Sequence, residues 1–144
     1  MSHIVKVKVQ VKNLAALRKA CKKLGLVFRE GQKTHKWYGR FVGDAPIPEG
    51  MKAEDYGKCD HAIVVPGNTE AYEVGVVDQK DGTYGLVWDS FMGGLGLQDK
   101  VGAECGLLRQ MYATEEARSQ MEGMGFQVFE DMDKQGVIRL ACER

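Results

Sequence analysis

The sequence predicts an α+β protein, with a mostly antiparallel sheet of six or seven strands and two long helices packed on one face. Three observations predict it. Apolar and polar residues alternate strictly in several short runs, the signature of half-buried strands. Turn signals join neighbouring runs as hairpins, and no regular strand–helix–strand alternation appears. Two stretches carry apolar residues at helical spacing. At 144 residues the chain fits one domain, read as 1–144. That length can bury roughly two-thirds of its unfolded surface, so folding requires neither disulfides nor metal.

The elements follow in order. Residues 4–11, IVKVKVQV, alternate cleanly: Val5, Val7, Val9 and Val11 face one way, Lys6, Lys8 and Gln10 the other. Asn13 is placed to cap a helix whose stripe is Leu14, Leu17, Cys21 and Leu24. Lys19, Lys22 and Lys23 suit its C-terminal dipole, and Gly25 ends it. A short strand at 26–30 and a polar turn at 31–34 come next. Residues 35–42, HKWYGRFV, predict a further strand, with His35, Trp37, Gly39 and Phe41 on one face and Lys36, Tyr38 and Arg40 on the other. Residues 43–58, with Pro46, Pro48 and three glycines, predict a long loop of the kind that tends to carry function. Strands are expected at 60–66, 71–78 and 84–89, the last two joined through Asp81-Gly82. A glycine-rich connection, 92–98, leads to a second helix capped by Asp99, with the stripe Val101, Cys105, Leu108, Tyr112 and Met121. Thr114 marks a break or second cap in it, and Gly123 or Gly125 ends it. A hairpin closes the chain: 126–131, a turn from Asp133 to Gly136, and 137–142.

Composition excludes some classes. Hydrophobic residues make up 44% and charged residues 28%, so the chain is not disordered. No apolar run approaches the ~20 residues of a membrane-spanning helix, and no signal-peptide pattern opens the chain. Cys21, Cys59, Cys105 and Cys142 show no CxxC spacing. Cys21 and Cys105 fall on helix stripes and read as small buried hydrophobes, which fits a reducing, cytoplasmic setting. The net charge of zero conceals an asymmetry. Residues 1–40 carry 11 of the 20 Lys and Arg and a single acid, Glu30, for a net of +10; residues 41–144 carry −10. Such regions either cancel inside one fold or mark a binding surface.

Several motifs bear on function. Lys36, Tyr38 and Arg40 on one strand face would stack a base and hold a phosphate, with Lys6 and Lys8 extending the patch. An ordinary strand with Trp37 and Phe41 in the core explains the same residues. Cys59 and His61, alternating onto one face, with His35 from elsewhere, would offer a metal soft and imidazole ligands. Structural roles are the commoner explanation of such residues. Gly93-Gly94-Leu95-Gly96 precedes a helix but lacks GxxxxGK[ST] and does not fit GxGxxG, so a tight turn with positive backbone angles is favoured over a phosphate loop. Asp89 beside Trp88 is an isolated acid. No GxSxG, HExxH or kinase signature is present, and the balance leans away from an enzyme.

The opening Met1-Ser2-His3-Ile4 with its alternating strand and Leu14–Leu24 helix, the run Leu108-Arg109-Gln110-Met111-Tyr112-Ala113, Gly125-Phe126, and the closing hairpin with Gly136, Ile138 and Leu140 resemble a family of small proteins of unknown function. That family includes a hypothetical chloroplast open reading frame and cyanobacterial, bacterial and phage relatives. The segment Gly43–Asn68 departs from the plastid members. The resemblance implies a small soluble protein encoded near AAA-type ATPases, and it brings no cofactor, reaction or catalytic residues.

The expectation is therefore a non-enzymatic accessory protein with a protein partner, an AAA-type ATPase among the candidates, and no cofactor. The alternatives are a binder of a nucleotide or nucleic acid through the basic–aromatic face, and a metal-dependent or acid–base enzyme using the 43–60 loop and His61. Basic and acidic regions in one chain can also pair between copies, which allows a homo-oligomer.

Overall fold

The computed structural model describes residues 3–40, 43, 45–135 and 137–143, with the backbone alone at Lys8 and Val9. It has the expected α+β architecture. Strands β1 (Ile4–Val11), β2 (Val27–Glu30), β3 (His61–Val64), β4 (Val74–Asp78) and β5 (Tyr84–Asp89) form one antiparallel sheet in the order β1-β5-β4-β3-β2. Strands β6 (Gln127–Met132) and β7 (Ile138–Glu143) form a separate two-stranded ribbon. The long helices are α1 (Leu14–Lys23) and α3 (Gly106–Gly123), with the short α2 (Leu97–Val101) before α3. Among the described residues no helix is long and apolar enough to cross a membrane.

Alternation sorts the sheet into two buried faces. Val7, Val11, Val74, Val76, Leu86 and Trp88 meet Leu17 and Cys21 of α1 and Leu108 and Tyr112 of α3. Ile4, Val87 and Val77 point the other way, against Trp37, Met51 and Tyr56 from the segment between β2 and β3. The sheet is thus covered by helices on one side and by a long connection on the other. Each fully buried aliphatic side chain, such as Leu17 or Ile63, contributes about 2 kcal/mol over its exposed state. In β1 the register slips between Val7 and Val11, yet both stay on the helix side.

Helix α1 matches its sequence signals. Asn13 accepts from the Ala16 amide (3.1 Å), and the chain leaves the helix through Gly25 with Leu26 N–H bonded to the Cys21 carbonyl (2.8 Å). The Tyr112 hydroxyl of α3 accepts from the Lys12 and Asn13 amides (3.0 and 3.2 Å), locking the two helices at the start of α1.

Four expectations need correction. Residues 35–40 are not a strand, and Phe41 and Val42 lie outside the described residues. The segment's amides turn elsewhere: His35 N–H to Gly57 carbonyl (2.9 Å) and Tyr38 N–H to the Asp89 carboxylate (3.0 Å). A single bridge, Thr34 to Lys58, is all that remains of the pairing. Asp99 does not cap the long helix, because Gly102, Glu104 and Cys105 adopt positive φ and restart the chain at Gly106. A Cβ at Gly102 would lie 2.7 Å from the Leu107 amide, so glycine alone fits that corner. Thr114 does not break α3: its hydroxyl donates to the Gln110 carbonyl (3.0 Å) inside a helix that is continuous to Gly123, with Gly125 at positive φ just beyond it. Finally, the closing hairpin does not extend the sheet. It packs on α3, where Glu130 meets Arg118 (2.8 Å) and Lys23 of α1 (3.1 Å).

The chain turns between these layers at Asp89, which is fully buried. One carboxylate oxygen accepts from the His3 and Phe91 amides (2.9 and 3.0 Å), the other from Tyr38. Met92–Leu95 then form a left-handed turn, φ between 48 and 69°, tied by Tyr72 N–H to the Gly94 carbonyl (2.8 Å). This bears out the tight-turn reading of the glycine-rich segment. Asp89→Ala leaves three buried donors unpaired and is expected to cost at least about 3 kcal/mol. Urea unfolding measures it, and a loss below about 1 kcal/mol would contradict the arrangement.

Candidate functional site

The proposed metal set does not assemble. His61 faces Val76 across the ladder and so belongs to the helix side, its ring against Phe28 and Tyr84 and its Nδ1 accepting from the Gly31 amide (2.9 Å). His35 lies on the opposite face, 3% exposed, flat over Gly75. A Cβ at Gly75 would meet the His35 ring at 2.6 Å and the Cys59 Cβ at 3.1 Å, so His35 and Cys59 are neighbours and His61 is screened from both by the sheet. Strand alternation misplaced Cys59 because β3 begins at His61; Cys59 lies in the turn before it, its thiol donating to the Gln32 carbonyl (3.2 Å). Burial, with Asp60 and Glu73 nearby, pushes that thiol up to about 11; burial alone pushes Cys21 and Cys105 up to about 12. Among the described residues no three His, Cys, Asp or Glu converge on a metal position.

The basic–aromatic face does not form either. Tyr38 is half-buried, with the Phe91 ring edge-on at 5.9 Å and the Arg40 guanidinium over its ring at 5.7 Å. A base finds that ring already occupied. Lys36 turns away, its ammonium on the Thr69 carbonyl and its amide on the Glu73 carboxylate (2.9 Å). The Lys8 side chain lies outside the described residues.

Of the predicted basic–aromatic residues with described side chains, Lys6 lies where two cavities meet, and Lys36 borders a separate, smaller one. Lys6 leaves β1 on the face away from the helices, and its stem lies over Gly85 beside Gln79. Its ammonium ends beneath the turn at Gly50 and makes no ion pair among the described residues. Two cavities meet at Lys6 and Gln79, between the sheet and the 48–60 segment. One, about 500 Å³, reaches from Ile4 to Pro48 and is flanked by Glu49 and Asp81. The other, about 440 Å³, has Val77, Val87 and Met51 at its base and Asp55, Asp60 and Asp78 around it. Both volumes lie in the range of ligand clefts.

The cleft is therefore apolar below and has five carboxylates at the edge with the ammoniums of Lys6 and Lys58, while Lys33 and Lys80 approach Asp60 and Asp78 to 3.9 Å. Local bonds hold the carboxylates in place. Asp60 accepts from the Asp78 amide (2.7 Å), and Asp55 from the Lys52 amide (2.9 Å). Asp81 accepts from the Thr83 hydroxyl and amide, which lower its pKa. Sequence reasoning marked the 43–58 loop and the acidic excess beyond residue 41, but it did not connect them. The carboxylates come from the turn at Glu49, a 3₁₀ turn, the residue before β3, the end of β4 and a hairpin loop, so no motif spacing reveals them.

His35 offers a test of this face. Burial is the main influence and lowers its pKa from 6.5, against opposing contributions from Glu73, Lys36 and Asp89. The unfolded chain then binds more protons than the folded one below about pH 6.5, so stability is complete above that pH and is lost as pH falls through it. Urea unfolding at about pH 7.5 and pH 5.5 is expected to show this loss, and His35→Gln to reduce it. An unchanged pH dependence in the variant would contradict the buried, neutral ring.

A scan against protein-family models matches none, and neither a curated protein nor a solved structure matches the chain.

Proposed function

We propose that this chain is a non-enzymatic accessory protein that takes a basic, extended segment of a protein partner in the cleft around Lys6. The observation that carries the reading is the set of five carboxylates around that cleft's apolar base, of which Asp60 and Asp78 have Lys33 and Lys80 at 3.9 Å while Glu49, Asp55 and Asp81 have no ion pair among the described residues. Carboxylates lining a concavity with low-dielectric walls focus a negative field, which draws in and orients a cationic segment. The apolar base takes alternate side chains of an extended chain, on either side of the Lys6 and Gln79 side chains that cover Gly85. The resemblance to small proteins encoded near ATPases supports an accessory role.

One observation favours a second reading. The Lys6 ammonium is unpaired among the described residues and suits an anionic ligand at the junction of the two cavities.

Fluorescence anisotropy separates the two readings, using short labelled peptides of alternating lysine and valine or of glutamate and valine. The lysine peptide is expected to bind at low salt and to weaken several-fold at about 0.5 M salt. Glu49→Lys with Asp55→Lys is expected to weaken it about tenfold or more, a loss of about 1.4 kcal/mol. Lys6→Ala is expected to leave its binding equal or tighter. Binding of the glutamate peptide alone, lost in Lys6→Ala, would replace the first reading with the second.

A further inference from the structure

We propose that β7 is a self-pairing edge, through which two copies of this chain join their ribbons into a four-stranded antiparallel sheet. The ribbon β6–β7 has no strand beside it among the described residues, so each of its strands has an unpaired edge. Isolated two-stranded ribbons are marginal in water and gain from further strands. This one also carries exposed apolar side chains: Phe129 is 52% exposed, Met132 60% and Val137 49%.

The two kinds of edge differ in their protection. Of the main sheet's edges, β1 carries Lys6, Lys8 and Gln10, a row of lysines that discourages strand addition, and β2 is only four residues long. β7, Ile-Arg-Leu-Ala-Cys-Glu, holds neither lysine nor proline. Its charges are self-complementary instead.

Antiparallel pairing limits the registers. Residues facing each other across such a ladder must orient their amides alike, so a strand pairing with its own copy puts one residue on the two-fold axis. With Arg139 on the axis, two guanidiniums oppose each other. With Leu140 there, Arg139 faces alanine and Glu143 faces Val137. With Cys142 there, Glu143 faces alanine. With Ala141 there, Arg139 faces Glu143 of the partner subunit, and the pair occurs twice. Arg139 is 68% exposed, with Asp133 at 3.5 Å, and Glu143 is exposed, so both are free to make the exchange.

The same register aligns the apolar groups. Phe129 stands directly across from Ala141 within the ribbon. The joined sheet then carries a row of Phe129, Ala141, the partner's Ala141 and the partner's Phe129, with Arg139–Glu143 pairs beside it. The small central pair leaves room for the two rings to close over it. Main-chain bonds supply affinity, and the ion pairs select the register.

Analytical ultracentrifugation of the full chain between about 1 and 100 µM tests the association, over the range where modest self-affinity is visible. A dimer is expected, weakened about tenfold or more by Arg139→Glu and by Glu143→Arg singly, and restored when the two are combined. Ala141→Cys in a Cys142→Ala background is expected to give a disulfide-linked dimer on oxidation, because the new thiol sits on the axis. Circular dichroism confirms that each variant is folded. A monomer throughout, with no trapped dimer, overturns the proposal. So does a dimer that ignores the charge reversals and is not trapped by Ala141→Cys.

Discussion

The carboxylate of Asp89 lies at the end of β5 with no access to solvent, and three backbone amides converge on it, two from distant parts of the chain and one from Phe91 two residues on. A charge in that position costs several kcal/mol unless it is fully hydrogen-bonded. The need for donors therefore constrains the segments that supply them. His3 brings the start of β1 alongside β5. Tyr38 draws the segment after β2 across the sheet. Phe91 begins the left-handed turn that carries the chain toward α2 and α3. One interaction thus governs how both layers attach to the sheet.

The second layer works because the sheet beneath it is partly bare. Gly75 in β4 and Gly85 in β5 leave space that His35 fills at one position and the Lys6 and Gln79 side chains at the other. The first position is closed, with His35 3% exposed. The second stays open, and the carboxylates of the surrounding turns define its edge. The same design therefore gives a core at one glycine and a cleft at the other. The decisive difference is the residue above: a flat imidazole that covers its site, or a flexible ammonium stem that leaves the flanks open.

The ribbon is held by a separate charged cluster. Glu115 of α3 is 2% exposed and meets Lys23 of α1 and Arg118, both of which also reach Glu130 of β6. Removing Lys23 or Arg118 takes an ion-pair partner from the buried carboxylate of Glu115, so the partners hold that side of α3 in place. This explains how a two-stranded element keeps a defined position outside the main sheet.

Local chemistry was legible in the sequence. Strict alternation located β1, the Asn13 cap and Gly25 bounded α1, Asp81-Gly82 marked the β4–β5 hairpin, and the α+β class followed from them. These signals act over a few residues, where backbone geometry and side-chain period leave little choice. Longer-range outcomes were not legible. Alternation in 35–42 suggested a strand, but the buried carboxylate of Asp89 and the bare surface of Gly75 drew that segment out of any ladder. The same competition separated His61 from His35 and Cys59, and left Lys6 at the junction of the two cavities beneath the 48–60 segment. An acidic cleft built from turns far apart in the chain has no sequence spacing, because it is defined by which loops meet over a face of the sheet. Tertiary structure decided that, through the hydrogen-bonding demands of a few buried polar groups.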